Sequence, residues 1–271
     1  MRYALLIIAV LAAGVAFGLY TLAAAGTPEL PAIAQLVILN AKALGVIGAL
    51  TAFALYSRGD YLRSAWGWLA VGSALLVEGD VISATLSSAF PPSTVVLVRG
   101  AVLAVSNVAT PLAMALFARA LSRAGLDLVG SAVGRWLFTA AVAVISVFAV
   151  GGSILTAGRG VAAGDYSHIV GLISGLGDVA TLVLVAPLIH NVVALRGGTL
   201  AWPFMLLAAR SCSWLLYDAI PGVAAMDATG AALRNCTRLW GVLFLFAAGL
   251  AQRWAMTAKR EPVAVAARQA A

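Results

Sequence analysis

Residues 58–82 read RGDYLRSAWGWLAVGSALLVEGDVI. After the polar turn at Arg58, Gly59 and Asp60 comes a run that is apolar almost throughout, and about 20 such residues make a helix long enough to cross a bilayer. Glu78 and Asp80 sit inside that run. An ionisable group at membrane depth is costly to insert, so it marks a site with a partner rather than a chance residue. The stretch therefore reads as a transmembrane helix that carries chemistry.

The rest of the chain reads the same way. Of 271 residues, 63% are hydrophobic and only 10% charged, against roughly 45–50% and 25% in soluble domains. The mean hydropathy is +1.02. These values exclude a water-soluble protein. Apolar stretches of spanning length run approximately from Tyr3 to Ala25, Pro31 to Ser57, Ser64 to Phe90, Thr94 to Leu121, Arg135 to Ala157, His168 to Leu195, Thr199 to Met226 and Leu233 to Thr257. Short connections such as GTPELP, FPPST and LRGGT carry the Gly and Pro that end helices. The expectation is an all-α fold: a polytopic integral membrane bundle of about eight transmembrane helices spanning residues 1–258, followed by a disordered cytoplasmic tail at 259–271. The first stretch follows Arg2 and ends in AAAG, as a signal peptide would. Its length favours a retained helix, and cleavage is left open.

The net charge of +7 follows from topology and implies no nucleic-acid partner. Arg2, Arg58, Arg63, Arg119, Arg123, Arg135, Arg196, Arg253, Lys259, Arg260 and Arg268 gather at one set of helix ends, and only Arg99, Arg159, Arg234 and Arg238 at the other. Basic residues concentrate on the cytoplasmic side, so both termini are placed there, in a cell-membrane protein. Trp66, Trp68, Trp136, Trp202 and Trp254, with Tyr56 and Tyr61, are expected to form an aromatic belt at that side.

Sliding the chain until Asp80 falls on Asp218 also brings Arg58-Gly59 onto Arg196-Gly197, Ile82 onto Ile220 and Asn40 onto Asp178. RGGTLAWPFMLLAARSCSWLLYDAI, at 196–220, thus answers the opening stretch. Each half, about 1–130 and 131–258, then holds four spans. An even number preserves direction, so the halves are expected to be parallel repeats.

The ionisable residues at membrane depth are Lys42, Glu78, Asp80, Asp178, Arg210 and Asp218, and they converge on the extracytoplasmic half. Arg210, Trp214 and Asp218, spaced i, i+4, i+8, form a stripe on one helix face. These seven residues are the candidates for a ligand-binding cavity. A purely structural role is open to the same charges: Lys42 holding Glu78 or Asp80, Arg210 holding Asp178, and Asp218 holding Arg234 or Arg238. Pro111 and Pro187 fall inside spans, where a missing N–H frees a carbonyl.

Other chemistry is disfavoured. His168 and His190 lie about 33 Å apart along a straight helix, too far for one metal, so no metal or other cofactor is expected. Lys42 is on the second span, whereas microbial rhodopsins carry their retinal lysine on the last. Cys212 and Cys236 differ by about 13 Å in depth, beyond disulfide reach, and read as packing residues.

Two likenesses bear on function. AWGWLAVGSALLVEGD and AWPFMLLAARSCSWLLYD resemble multi-span sensory input modules of bacterial signalling proteins, which implies a binding role with output supplied by a partner membrane subunit. EGDVI with Asp80 and LYDAI with Asp218 resemble the lysoplasmalogenase family of eight-span membrane enzymes. That likeness covers the two short segments, and it implies a lipid hydrolase with Asp80 and Asp218 as catalytic acid and base. Three readings stay open: a protein binding a small or lipidic ligand, a membrane-embedded hydrolase, and a small transporter. The outward weighting of the polar residues counts against a transport path.

Overall fold

The computed structural model describes residues 1–123, 131–194 and 198–269. Eight helices account for nearly all of them: α1 (Arg2–Ala23), α2 (Leu30–Phe53), α3 (Tyr61–Leu86), α4 (Pro92–Arg123), α5 (Ala132–Ala162), α6 (Ile169–Ala194), α7 (Ala201–Val223) and α8 (Ala228–Gln269). A single 3-10 turn, Tyr166–His168, precedes α6. No strand occurs among the described residues. Every helix except α7 is long and apolar enough to cross a membrane, and the chain is an all-α, multi-pass membrane protein. The 23 residues of α7 have the length, but Arg210, Ser211, Ser213 and Asp218 dilute its apolar character.

α3, α5 and α8 begin where a side chain satisfies free amides, whereas α1, α2 and α7 have no such cap. The carboxylate of Asp60 accepts from Leu62 N at 2.8 Å before α3, and Ser131 Oγ from Gly134 N at 3.1 Å before α5. Asp227 accepts from both Thr229 N and Gly230 N at 2.9 Å before α8. In the turn before α6, hydrogen bonds from the Ser167 hydroxyl and backbone N–H hold the Asp165 carboxyl below its usual pKa range. Gly59, at φ 90°, takes the left-handed turn that leads into α3. The apolar part of α8 is Ala228–Thr257. The helix continues to Gln269 and so occupies positions where a disordered tail is expected from the sequence.

The helices pair in a recurring pattern. α3 packs on α4 as α7 packs on α8, α2 on α3 as α6 on α7, and α2 on α8 as α6 on α4. α1 and α5 break it: α1 lies against α8, and α5 against α6 and α7. The α2–α8 seam is closed by small residues, which let membrane helices approach closely. A Cβ on Gly249 would fall 2.0 Å from the Gly48 carbonyl oxygen, and one on Gly48 would fall 2.5 Å from Phe246 Cα. α1 is fixed to α8 by Trp240, whose indole donates to Leu11 O at 3.1 Å while lying over Gly14.

The aromatic residues at the Arg2 end are packed more deeply than a belt would be. Trp66 is fully buried, edge-on to Phe117 at 5.3 Å, and Phe117 is edge-on to Phe204 at 5.7 Å. Tyr3 stacks on Trp202 at 5.3 Å, with Arg2 lying over Tyr3 and Trp254. Burial also pushes the Tyr56 phenol up. Trp136 and Trp68 do face outward. Cys236 is buried against α1 at Gly18, whereas Cys212 lies on the outer surface and is not the packing residue expected.

Candidate functional site

The residues expected to line one cavity fall into two polar clusters and one outlier. The outlier is Glu78, which is exposed on the outer face of α3 and makes no ion pair among the described residues. Its neighbour Asp80, two residues on, points roughly 160° away on the helix and is buried at 5% exposure. Asn40 likewise faces outward and donates to Leu36 O on its own helix at 2.8 Å.

The first cluster centres on Asp80. Lys42, buried on α2, donates to Asp80 Oδ2 at 2.6 Å and to Leu76 O at 3.1 Å. Two arginines approach the same carboxylate, Arg238 Nη2 at 3.5 Å and Arg99 Nη2 at 3.9 Å. Arg238 therefore serves Asp80, not Asp218. Arg234 stacks over the Tyr217 ring, 4.3 Å from its centroid.

The second cluster lies between α4, α6 and α7. Helical spacing builds it: Ser174, Asp178 and Thr181 at i, i+4, i+7 share one face of α6, and Asn107 and Thr110 share one face of α4. Arg210 and Trp214 project from α7. Together these residues line a cavity of about 80 Å³. A water needs roughly 10–15 Å³ of such space, so several waters or one small headgroup fit. Asp218 takes a hydrogen bond from Ser174 Oγ at 2.9 Å, and its carboxyl neighbours that of Asp178. Arg210 supplies the nearby positive charge, and no direct ion pair joins it to Asp178 among the described residues. Asp178 Oδ2, Arg210 Nε and Trp214 Nε1 are all buried without a hydrogen-bond partner. Native proteins rarely leave such atoms unpaired. Asp178 and Arg210 face this cavity, whereas Trp214 Nε1 lies against Gly241 of α8, whose residues do not line it.

The cavity borders an apolar groove of about 440 Å³ on the surface between α4 and α6. Asn107 and Gly177 line both hollows. Pro111, within the groove, has no N–H to offer the Asn107 carbonyl four residues back. α4 and α6 come close between the two hollows, where a Cβ on Gly177 would fall 3.1 Å from Asn107 Cβ and 3.3 Å from its carbonyl oxygen.

Ser174, Thr181 and Thr110 were not among the sequence candidates. Their spacing relative to Asp178 and Asn107 is the signal that finds them. Asp80 and Asp218 stand in separate clusters, with no contact between them among the described residues. His168 is half-exposed beside Asp165, and His190 rests against Phe138. Among the described residues no group of three or more His, Cys, Asp or Glu is placed to hold a metal ion. Compared with models of protein families, with curated proteins and with solved structures, the chain matches none.

Proposed function

We propose that this membrane protein binds a bilayer-borne amphiphile, whose polar head enters the cavity of Asp178, Arg210 and Trp214 and whose hydrocarbon chain lies in the α4–α6 groove. The observation that carries the reading is the pair of unpartnered buried atoms, the acceptor Asp178 Oδ2 and the donor Arg210 Nε, on residues lining a cavity that shares Asn107 and Gly177 with a surface groove. A head with both a donor and an acceptor would satisfy them. The role is that of a sensor or accessory subunit, with a second membrane protein receiving the signal. Both termini are cytoplasmic in the cell membrane, a reading supported by the basic residues gathered at the Arg2 end. Two parallel four-helix halves are supported by the matched packing of α2–α8 and α6–α4.

The hydrolase reading asks Asp80 and Asp218 to act on one bond. Their separation, with Asp80 engaged by three cations, favours binding over that chemistry.

Native mass spectrometry of protein released from nanodiscs of mixed phosphatidylethanolamine and phosphatidylglycerol tests the proposal. The wild type is expected to retain a lipid adduct. Asp178→Asn, which alters the head site, and Ala180→Trp, which fills the groove from its exposed side, should each cut its occupancy about tenfold, the loss of roughly one charged hydrogen bond or one well-packed chain contact. Absence of an adduct on the wild type, or an equal adduct on both variants, defeats the proposal.

A further inference from the structure

Near the end of the bundle where α4 and α8 begin, three cations gather on one carboxylate. Asp80 is shared by Lys42, Arg99 and Arg238. Arg234, one turn before Arg238 on the same face of α8, adds a further cation. Only the Lys42 contact, at 2.6 Å, has the length of a full charge-assisted hydrogen bond. The arginines stand off at 3.5 and 3.9 Å, so Asp80 does not saturate their donors.

Three other acidic groups toward this end are engaged or turned away. Asp227 caps α8, Asp218 accepts from Ser174, and Glu78 points away from the bundle. Arg234 Nε is buried with no partner, and the cation is held in place by the Tyr217 ring. Arg99 is 44% exposed and Arg238 20%, so a ligand can reach both. Guanidinium groups present paired N–H donors that match phosphate oxygens two at a time.

We infer that Arg99, Arg234 and Arg238 form a phosphate-binding site, separate from the Asp178 cavity, with Asp80 and Lys42 as the buried anchor that positions the arginines. The phosphate belongs either to a phospholipid headgroup or to a free anion, and both present the same oxygens.

The test uses the full chain in two arms. In dodecyl maltoside, which carries no phosphate, inorganic phosphate is titrated against the thermal unfolding temperature. In nanodiscs, retention of phosphatidylglycerol against phosphatidylcholine is read by native mass spectrometry. A response to inorganic phosphate identifies a free-anion site, and selective retention of phosphatidylglycerol without it identifies a headgroup site. Either supports the inference. The double variant R99Q/R238Q should bind the active probe about tenfold or more weakly, as expected for losing charge-assisted donors. Arg234→Gln, at a residue with no ion pair among the described residues, should weaken it in the same direction and serves if the double variant does not fold. No response to either probe, or unchanged binding in Arg234→Gln, overturns the inference.

Discussion

Asp80→Asn is expected to lower the thermal unfolding temperature much further than Lys42→Met. Both changes break the same 2.6 Å contact, so a pair counted only as a pair would predict equal losses. The surroundings make them unequal. Without its carboxylate, Lys42 remains buried at 4% exposure with Arg238 and Arg99 as its charged neighbours, and removing one partner of a buried pair costs about 3–5 kcal/mol. Without the ammonium, Asp80 still has two guanidinium groups within 4 Å, and methionine refills the space with an apolar chain of similar length. Its loss should be well under half as large. Unfolding followed by tryptophan fluorescence in detergent measures both, and equal or reversed losses would show that the arginines do not share the carboxylate.

Gly249→Val should be as damaging for a different reason. Its Cβ would lie 2.0 Å from the Gly48 carbonyl oxygen, and backbone cannot rotate aside as a side chain can. The seam must open, at the upper end of the roughly 1–3 kcal/mol typical of overpacking or beyond it. The matching control is Gly152→Val on α5, where an added Cβ meets nothing within 4 Å. Size-exclusion profiles and melting temperatures should show Gly249→Val losing folded protein while Gly152→Val stays near the wild type. Similar losses in both would mean that helix propensity, not the close approach of α2 and α8, sets the cost.

The number and approximate position of the helices were legible in the sequence because a spanning length of apolar residues is a strong signal. How each helix is rotated about its axis was not. In a soluble helix the polar face identifies the outside, but lipid is as apolar as the protein interior. Glu78 and Asp80 show the result: by composition they are equivalent, yet one faces out and the other is approached by three cations. Trp66 and Trp68 repeat it, one fully buried and one half-exposed.

For the site, the spacing of Arg210, Trp214 and Asp218 could be read from the sequence, but not what each meets: Asp218 accepts from Ser174, and Trp214 lies against Gly241 of α8. Which carboxylate Arg238 would meet could not, since that depends on how α8 packs against α2 and α3. The hydroxyls of Ser174, Thr181 and Thr110 carry no hydropathy signal strong enough to stand out among apolar neighbours. They become meaningful only once Asp178 is known to face inward.

The position of α8 in the packing bears on how the chain is assembled. α1 and α2 lie against it, although both are made long before it, and α1 packs chiefly there. During synthesis α1 must therefore wait in the bilayer for α8, while α2 can pack on α3 but lacks its other partner until then. Until α8 arrives, Lys42 and Asp80 lack Arg238, and the glycine surface of α2 faces lipid. Ribosome-bound intermediates that end before α8 should thus be the stage at which the N-terminal half is most open to membrane chaperones and proteases.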